Sequence, residues 1–509
     1  MIAKVLSASL YGIDALPVEV QAQPMPELKQ ISIVGLGDGV IKESRDRLKC
    51  AINNSGLGYL EEKLLVCLSP VSLPKYGSGF DLAMALSILA SVGKISEECL
   101  AGRLFLGELS LSGEIRPIHG IVAAAALAKK LGSLELVVPV ECVEEARLVA
   151  DCKVSGVSCL NECVLYLRGE YNPPLPKTSD CTAKVHSKQQ PTFADVVGQH
   201  GARRALSIAA AGNHNMLMVG PPGAGKSMLA QRLPSILPDL TTDELIEVIK
   251  VYHALKAMAP CAVGAGHDLT LDCHNRPFRS PHHTTSYAGL IGGGSLPVPG
   301  EISLAHKGVL FLDEIPEFRR DVIETLRTPM ETRQVVISRA RMRLAYPADF
   351  LLIAAMNPCP CGHNGNANKS CSCSPQAISR YQQRLSGPFL DRIDLRIWVP
   401  PLSITEFAKN KSEDTTEQMK IAVSNARLRQ RERFCSSLEH NANMGTSEIK
   451  RFCRLTDSSR KLLEQYAHKQ GFSARSYTRI LRVARTIADL GGGEEILDQH
   501  VAEALSYRA

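Results

Sequence analysis

The segment GPPGAGKS at residues 220–227 constrains the fold more than any other feature of this sequence. It fits the pattern G-x-x-x-x-G-K-[ST] and lies between the apolar run MLMV and the amphipathic stretch MLAQRLPSIL, which is the order strand, loop, helix. Glycines in such a loop let backbone N–H groups approach phosphate oxygens. The segment therefore predicts a nucleotide site in a parallel α/β sheet, with these candidate contacts: Gly220, Pro221, Pro222, Gly223, Ala224, Gly225, Lys226 and Ser227.

A second apolar run, GVLFLDEI at residues 308–315, ends in two carboxylates. We expect Asp313 to bind Mg²⁺ together with the Ser227 hydroxyl, because hard oxygen ligands suit that ion. Glu314 is the candidate group that orients and polarises the attacking water in phosphoryl transfer. The alternative is a strand that simply ends in a solvated Asp-Glu pair, and the phosphate loop upstream makes that interpretation the weaker one.

The pattern along the chain predicts four parts. Residues 1–170 alternate short strands and helices and are expected to form an α/β domain. Residues 171–192 are polar, contain Pro173, Pro174, Pro176 and Pro191, and are expected to be a linker. Residues 193–400 repeat the strand and helix alternation of a parallel sheet, and residues 401–509 have helical periodicity.

Composition restricts the compartment and the partners. The chain has 16 cysteines but is long and begins without a signal-like segment, so we expect mostly reduced thiols and a cytoplasmic protein without a membrane span. Residues 1–189 carry 19 basic and 21 acidic side chains, whereas residues 190–509 carry 39 and 31. A polyanionic partner is therefore expected to meet the second part of the chain.

Four cysteines lie close together in the segment PCPCGHNGNANKSCSCSP, with the spacing C-x-C-x9-C-x-C. Cys359, Cys361, Cys371 and Cys373 suit a tetrahedral Zn²⁺ site that would stabilise a loop (residues 359–373) too polar to pack by itself. The C-x-C spacing is tighter than usual for zinc. Four reduced thiols without metal are the alternative.

Several longer stretches resemble the AAA+ ATPases, and more narrowly the magnesium-chelatase-like group that includes the YifB/ComM family. They are FADVVGQHGARRALSIAAAGNHNMLMVGPPGAGKSMLA, SPHHTTSYAGLIGGGSLPVPGEISLAHKGVLFLDEI, AAMNPCPCG, RLSGPFLDRIDL and SARSYTRILRVARTIADL. The resemblance implies that Asn357 is the sensor-1 residue, Arg392 the arginine finger that acts on a neighbouring subunit, and Arg475 the sensor-2 arginine of a helical lid. For either arginine, the alternative is a surface salt bridge.

A finger that acts on a neighbour requires a ring, so the resemblance implies a homo-hexamer. The segment ETRQVVISRARMRLAYPADF is expected to be a hairpin that places Arg339, Arg341 and Arg343 on one strand face, because they alternate along the sequence. In related ring motors such hairpins line the channel, which makes these arginines candidate contacts to DNA. The alternative is an edge strand whose charges protect it from aggregation.

The N-terminal part resembles the Lon protease domain in LPKYGSGFDLAMALSIL and FLGELSLSGEIRPIHG. Val122 occupies the place where the resemblance implies the catalytic lysine, and the serine motif around Ser78 is not intact. We therefore expect the protease fold without protease chemistry.

The resulting hypothesis is an ATP-hydrolysing AAA+ motor that acts on single-stranded or branched DNA. By resemblance it would carry out branch migration during natural transformation and recombination, in contact with recombination proteins. The alternative is the ATPase subunit of a magnesium chelatase, against which the extra N-terminal domain and the cysteine loop count.

Overall fold

The computed structural model describes residues 2–25, 30–35, 39–58, 63–73, 75–173, 191–258, 275–294, 297–339, 342–366, 369–401, 415–434, 440–470 and 472–508. Arg341 and most of the predicted linker lie outside these residues. In the part of the chain so described, no helix is long and apolar enough to cross a membrane.

The N-terminal part is built on a mixed seven-stranded sheet in the order β3-β4-β2-β1-β5-β8-β9. Strands β1 and β2 form an antiparallel hairpin, whereas β5, β8 and β9 run parallel. The strands are β1 (Ala3–Tyr11), β2 (Asp14–Met25), β3 (Ile31–Val34), β4 (Lys63–Ser69), β5 (Arg103–Phe105), β8 (Glu135–Pro139) and β9 (Lys153–Val157), with a small ribbon of β6 (Glu108–Leu109) and β7 (Ile115–Arg116) beside them.

Apolar side chains cover both faces of this sheet. One face packs on α2, whose residues are all buried, and the other packs on the alanine-rich α3. The helices are α1 (Gly39–Asn54), α2 (Asp81–Ser91), α3 (Ile121–Leu131), α4 (Val143–Arg147) and α5 (Leu160–Leu167).

The second sheet is parallel throughout and has the order β11-β14-β17-β10-β18. Its strands are β10 (Met216–Val219), β11 (Phe278–Arg279), β14 (Val309–Leu312), β17 (Leu351–Met356) and β18 (Leu395–Trp398). Strands β14 and β17 are apolar and fully buried, as a sheet covered on both faces requires. The strands predicted from MLMV and GVLFLDEI are confirmed.

Helices and two short ribbons surround the parallel sheet. The ribbons are β12 (Gly292–Gly293) with β13 (Val298–Pro299), and β15 (Gln334–Arg339) with β16 (Met342–Pro347). The helices of this part are α6 (His200–Gly212), α7 (Lys226–Arg232), α8 (Thr242–Met258), α9 (Tyr287–Ile291), α10 (Glu301–Leu304), α11 (Arg320–Thr325), α12 (Arg327–Thr332), α13 (Pro375–Gln382) and α14 (Gly387–Leu390).

The C-terminal part is helical and packs directly on the sheet. It consists of α15 (Thr416–Phe434), α16 (Thr446–Phe452), α17 (Asp457–Gln470), α18 (Ala474–Leu490) and α19 (Asp498–Ser506). One apolar cluster runs from Met216 and Ile353 of the sheet through α6 to Ile480 and Ile487 of α18. The helical part therefore shares a single core with the face of the sheet on which α6 packs.

The N-terminal part also touches the β15-β16 hairpin. Tyr11, Ile13 and Tyr76 pack against the cluster that contains Met342 and Leu344 of β16. The Tyr76 hydroxyl lies 3.5 Å from the Met342 sulfur.

A buried ionic network holds the helical part together. Asp489, fully buried near the end of α18, accepts hydrogen bonds from Arg485 Nε at 3.1 Å, Arg433 Nη1 at 2.9 Å and Asn441 Nδ2 at 2.8 Å. Because Arg485 is also buried, its positive charge is stabilised by the negative charge of the Asp489 carboxylate.

We predict that Asp489→Ala lowers the free energy of unfolding by about 3–5 kcal/mol, since it leaves buried guanidinium charge without a partner. Urea unfolding followed by helical circular dichroism measures this. The control is Asp457→Ala at the exposed start of α17, with an expected loss below about 1 kcal/mol. Equal losses in the two variants would contradict the role of the network.

Candidate functional site

The phosphate-loop segment follows β10 at the carboxyl edge of the parallel sheet. The Gly220 N–H donates to Met356 O of the neighbouring β17 at 3.2 Å, and a Cβ on Gly220 would lie 2.3 Å from Val399 O. Gly223 and Gly225 have φ of 78° and 85°, which side chains other than glycine rarely adopt. The sheet and the glycines together fix the shape of this loop.

Lys226 begins α7 and is buried against the loop that precedes it. Its Nζ donates to Gly220 O at 2.6 Å, to Pro221 O at 3.0 Å and to Asn357 Oδ1 at 3.1 Å. Burial lowers the pKa of Lys226, and the negative charges of Asp313 and Glu314 oppose this shift. The ammonium group is therefore held at the loop by two carbonyls that a phosphate can replace.

Two oxygen ligands suited to Mg²⁺ meet beside Lys226. The Ser227 hydroxyl donates to Asp313 Oδ2, and Asp313 Oδ1 accepts the Glu314 N–H at 2.9 Å. A hydroxyl and a carboxylate side by side are ligands that Mg²⁺ binds in phosphate sites. The Ser227 and Asp313 side chains thus fit the ion.

Glu314 follows β14 in the left-handed region, with φ of 48°. A residue other than glycine in this region is uncommon and typical of functional turns. The turn places the carboxylate of Glu314 just beyond Asp313, at the end of the strand.

Asn357 directly follows β17, the strand between β10 and β14, and its hydrogen bond to Lys226 brings it into the same site. The structure therefore gathers the predicted residues Lys226, Ser227, Asp313 and Asn357 at one edge of the sheet. This follows from the parallel topology, because the carboxyl ends of neighbouring strands meet there.

Gln199 is a site residue that the sequence reasoning did not identify. It lies just before α6 with φ of 53°, and its Nε2 donates to Pro400 O at 2.8 Å and to Ala224 O at 3.3 Å. Gln199 thereby ties the phosphate loop to the end of β18. The only sequence signal is its place at a helix start in the segment VVGQHG, which by itself indicates a cap rather than a loop clamp.

Arg392 lies at the opposite edge of the sheet from Lys226. Its backbone oxygen accepts from Asn215 Nδ2 at 3.2 Å, and Asn215 immediately precedes β10. The guanidinium donates to Glu331 at 2.5 Å and to Pro388 O at 2.6 Å, and its buried Nε has no partner among the described residues. Arg392 therefore does not reach the phosphate loop of its own chain.

Arg475 lies in the first turn of α18 and is exposed. Ser473 is the N-cap of this helix, since its hydroxyl accepts the Ser476 N–H at 3.3 Å. One turn further on, Arg479 pairs with Asp394 at 3.7 Å, next to Arg392. Arg392 and the turn of α18 that carries Arg479 thus lie near each other, at the edge of the sheet opposite Lys226.

A cavity of about 160 Å³ lies between the segment that carries Arg392 and helix α18. Arg392, Arg479 and Arg482 line it, and each has a buried guanidinium nitrogen that lacks a partner among the described residues.

The hairpin forms as predicted, but the expectation of one arginine face is wrong. Arg339 ends β15 and Arg343 belongs to β16, where it pairs with Ser338. Because the turn falls between them, the Arg339 side chain lies on the face of Ile337 and against Gly293, whereas Arg343 projects from the opposite face. Arg341 lies outside the described residues.

The four predicted cysteines converge on one point. The Sγ atoms of Cys359, Cys361, Cys371 and Cys373 all lie within 4.8 Å of one another. Backbone N–H groups of His363 and Ser372 lower the pKa of Cys361 to about 5. Four sulfurs that converge on one point are a donor set suited to Zn²⁺.

The N-terminal part contains a cavity of about 240 Å³ around the predicted serine. The Ser78 hydroxyl donates to Glu108, and Val122 is fully buried in α3. The likeness to Lon and the loss of protease chemistry stay predictions.

Three family models match the chain. "Magnesium chelatase, subunit ChlI" matches residues 192–407, "Subunit ChlI of Mg-chelatase" matches residues 18–142, and "Magnesium chelatase, subunit ChlI C-terminal" matches residues 413–508.

Two curated relatives match over nearly the whole length, and a third matches over a third of it. Competence protein ComM of Haemophilus influenzae is 41% identical over 516 residues, which cover 100% of this chain and 97% of that protein. The protein YifB of Escherichia coli is 38% identical over 98% of this chain and 95% of its own length. The magnesium-chelatase 67 kDa subunit of Chlorobaculum parvum is 27% identical over 33% of this chain and 23% of its own length.

Proposed function

The chain belongs to the ComM/YifB family of magnesium-chelatase-like proteins, and from this membership we propose that it is a hexameric ATP-hydrolysing motor that acts on DNA. The proposed activity is branch migration that promotes the integration of DNA during natural transformation and recombination. Membership in this AAA+ group suggests an ATPase, and the similarity to a competence protein supports the DNA role.

One observation carries the proposal. The side chains for binding and cleaving ATP lie at one edge of the parallel sheet, whereas Arg392 lies at the other edge beside Asn215. A single chain therefore holds the phosphate-site side chains without an arginine close to them. A ring in which the Arg392 edge of one chain faces the phosphate loop of the next chain would bring the two together.

Each phosphate-site side chain has a separate task in hydrolysis. Lys226 would leave the carbonyls of Gly220 and Pro221 to bind the outer phosphates, and Glu314 would accept a proton from the attacking water. Asn357 would orient that water from the end of β17. Ser227 and Asp313 would hold Mg²⁺, which neutralises charge on the phosphates.

Arg392 would supply positive charge to the γ-phosphate of the adjacent subunit, where it stabilises the charge that develops in the transition state. Arg475 would serve the same neighbouring nucleotide, since α18 lies on the Arg392 side of the chain.

The DNA role rests on charge and on the hairpin. Residues 190–509 carry an excess of eight basic side chains, and Arg339 and Arg343 are exposed at the end of the β15-β16 hairpin. Phosphate contacts need exposed cations of this kind. Arg341, which lies outside the described residues, belongs to the same proposal through its place in the sequence between them.

The chelatase alternative is weaker than the motor proposal. The 67 kDa chelatase subunit covers a third of the chain, whereas ComM and YifB cover nearly all of it. The cofactors proposed for the motor are ATP and Mg²⁺ at the phosphate loop and Zn²⁺ at the four cysteines.

We predict that Lys226→Ala abolishes binding of ATP, because it removes the cation at the outer phosphates. Glu314→Gln should bind ATP as tightly as the unaltered protein and hydrolyse it about 100-fold more slowly. Nucleotide anisotropy and phosphate release measure the two steps, with Lys461→Ala on the exposed face of α17 as the control. Equal hydrolysis by both variants and the control would contradict these roles.

We predict that Arg392→Ala and Lys226→Ala are each inactive and that mixing them restores ATPase activity. In mixed rings some interfaces combine an intact phosphate loop with an intact Arg392, which only an arginine acting on its neighbour permits. Native mass spectrometry verifies mixed rings, and Arg319→Ala, at an exposed arginine, is the control. Mixed rings without restored hydrolysis would contradict action between subunits.

We predict that Arg339→Ala/Arg343→Ala weakens DNA binding and reduces the slope of log affinity against log salt by about 1–2. The control Arg460→Ala on α17 should leave the DNA affinity and this slope unchanged.

The unaltered protein should move strands in labelled three- and four-strand junctions only with ATP. Absence of strand movement, despite ATP hydrolysis, would refute the motor proposal.

A further inference from the structure

The cysteine loop begins two residues after Asn357, at the edge where the phosphate loop also begins. Met356 accepts the Gly220 N–H, and Asn357 accepts from Lys226, so the two loops leave the sheet side by side. The cysteine loop therefore starts two residues beyond a side chain that binds Lys226.

Gly362 makes the second connection between the two loops. It has φ of 80°, and a Cβ built on it would lie 2.5 Å from Pro222 Cδ and 2.7 Å from Pro222 Cγ. Pro222 belongs to the GPPGAGKS segment. The turn between Cys359 and Gly362, closed by the Gly362 N–H to Cys359 O hydrogen bond of 3.0 Å, thus packs directly on the phosphate loop.

The cysteine cluster has the dimensions of a metal centre. The separations of the sulfur atoms of Cys359, Cys361 and Cys371 are 3.4, 3.6 and 3.6 Å. A tetrahedral site with Zn–S bonds of about 2.3 Å requires sulfur separations of about 3.8 Å. The Asn364 N–H also donates to Cys359 Sγ at 3.3 Å, as expected for a metal thiolate.

Apolar packing does little to hold this loop. Among the described residues of 360–373, only Gly362 is buried, and it carries no side chain. Cys359 is fully buried at the start of the loop. The position of Gly362 against Pro222 therefore depends on whatever joins Cys359 and Cys361 to Cys371 and Cys373 across the loop.

We infer that a zinc ion at the four cysteines holds the phosphate loop in its nucleotide-binding shape through Gly362, so that occupancy of the metal site sets the affinity for ATP. The inference rests on the proposed zinc site. It assigns that site a positioning role in the ATPase, in addition to the stability of its own loop.

The chain carries its own reporter for the loop. Trp398 is the only tryptophan in the sequence, and a Cβ built on Gly365 would lie 3.2 Å from its ring. Because Gly365 belongs to the cysteine loop, displacement of the loop changes the surroundings of this indole. Tryptophan fluorescence therefore reports on the loop independently of ATP hydrolysis.

The first experiment removes the metal from the full-length protein. Zinc is measured by atomic emission, the loop by Trp398 fluorescence, and nucleotide binding by anisotropy of a fluorescent ATP analogue. We expect one zinc per chain, and a zinc chelator should change the fluorescence and weaken nucleotide binding about tenfold or more, with recovery on addition of zinc. Cys361→Ser/Cys371→Ser should behave like the chelated protein.

The second experiment tests the contact with the metal retained. Gly362→Ala and Gly365→Ala introduce the same methyl group into the same loop at nearly equal φ, 80° and 76°, but only the first meets Pro222. We expect both to keep one zinc per chain. Gly362→Ala should weaken nucleotide binding about tenfold, whereas Gly365→Ala should alter Trp398 fluorescence and bind nucleotide within about twofold of the unaltered protein.

The outcomes separate the two proposals. If the protein contains no zinc and takes up none, the zinc site and this inference both fall, while the ATPase proposal stands on Lys226 and Glu314. If zinc is present but its removal, or Gly362→Ala, leaves nucleotide affinity unchanged, the coupling is refuted and the zinc site remains.

Discussion

The parallel hydrogen bonding of β10 between β17 and β18 is the constraint on which the rest of the site depends. It places the phosphate loop, Asp313 and Asn357 at one edge, because all three follow strands that run in the same direction. The same register places Asn215 and Arg392 at the opposite edge. One sheet therefore separates the binding chemistry from the arginine by the length of a strand.

Electrostatics explain why the phosphate loop favours an anion. The buried ammonium of Lys226 is satisfied by two carbonyls and by Asn357, so that no bare charge is left in the core. A phosphate replaces these neutral acceptors with charged ones, which form stronger hydrogen bonds. The loop thus pairs its buried cation with neutral acceptors and favours an anion over them.

The sequence allowed prediction of those parts of the site that depend on local patterns. The phosphate loop, the Asp313-Glu314 strand end and the cysteine cluster each lie within one short segment, where residue type and spacing are sufficient. Gln199 and the Gly362 contact with Pro222 could not be predicted, because they join segments that are distant in the chain. The prediction that the three arginines share one strand face was wrong for a related reason. Alternation holds only within one strand, and Arg339 and Arg343 belong to two different strands.

If the chain works as the proposed ring motor, the packing of Tyr76 against Met342 has a consequence for how force is borne. The β15-β16 hairpin that carries Arg339 and Arg343 rests on the N-terminal part of the chain through this contact. A hairpin that exerts force on a DNA strand experiences an equal and opposite force, which is transmitted to the part of the protein that supports it. The N-terminal part would then brace the hairpin, and the packing of Tyr11, Ile13 and Tyr76 against β16 would set how far the hairpin moves under load.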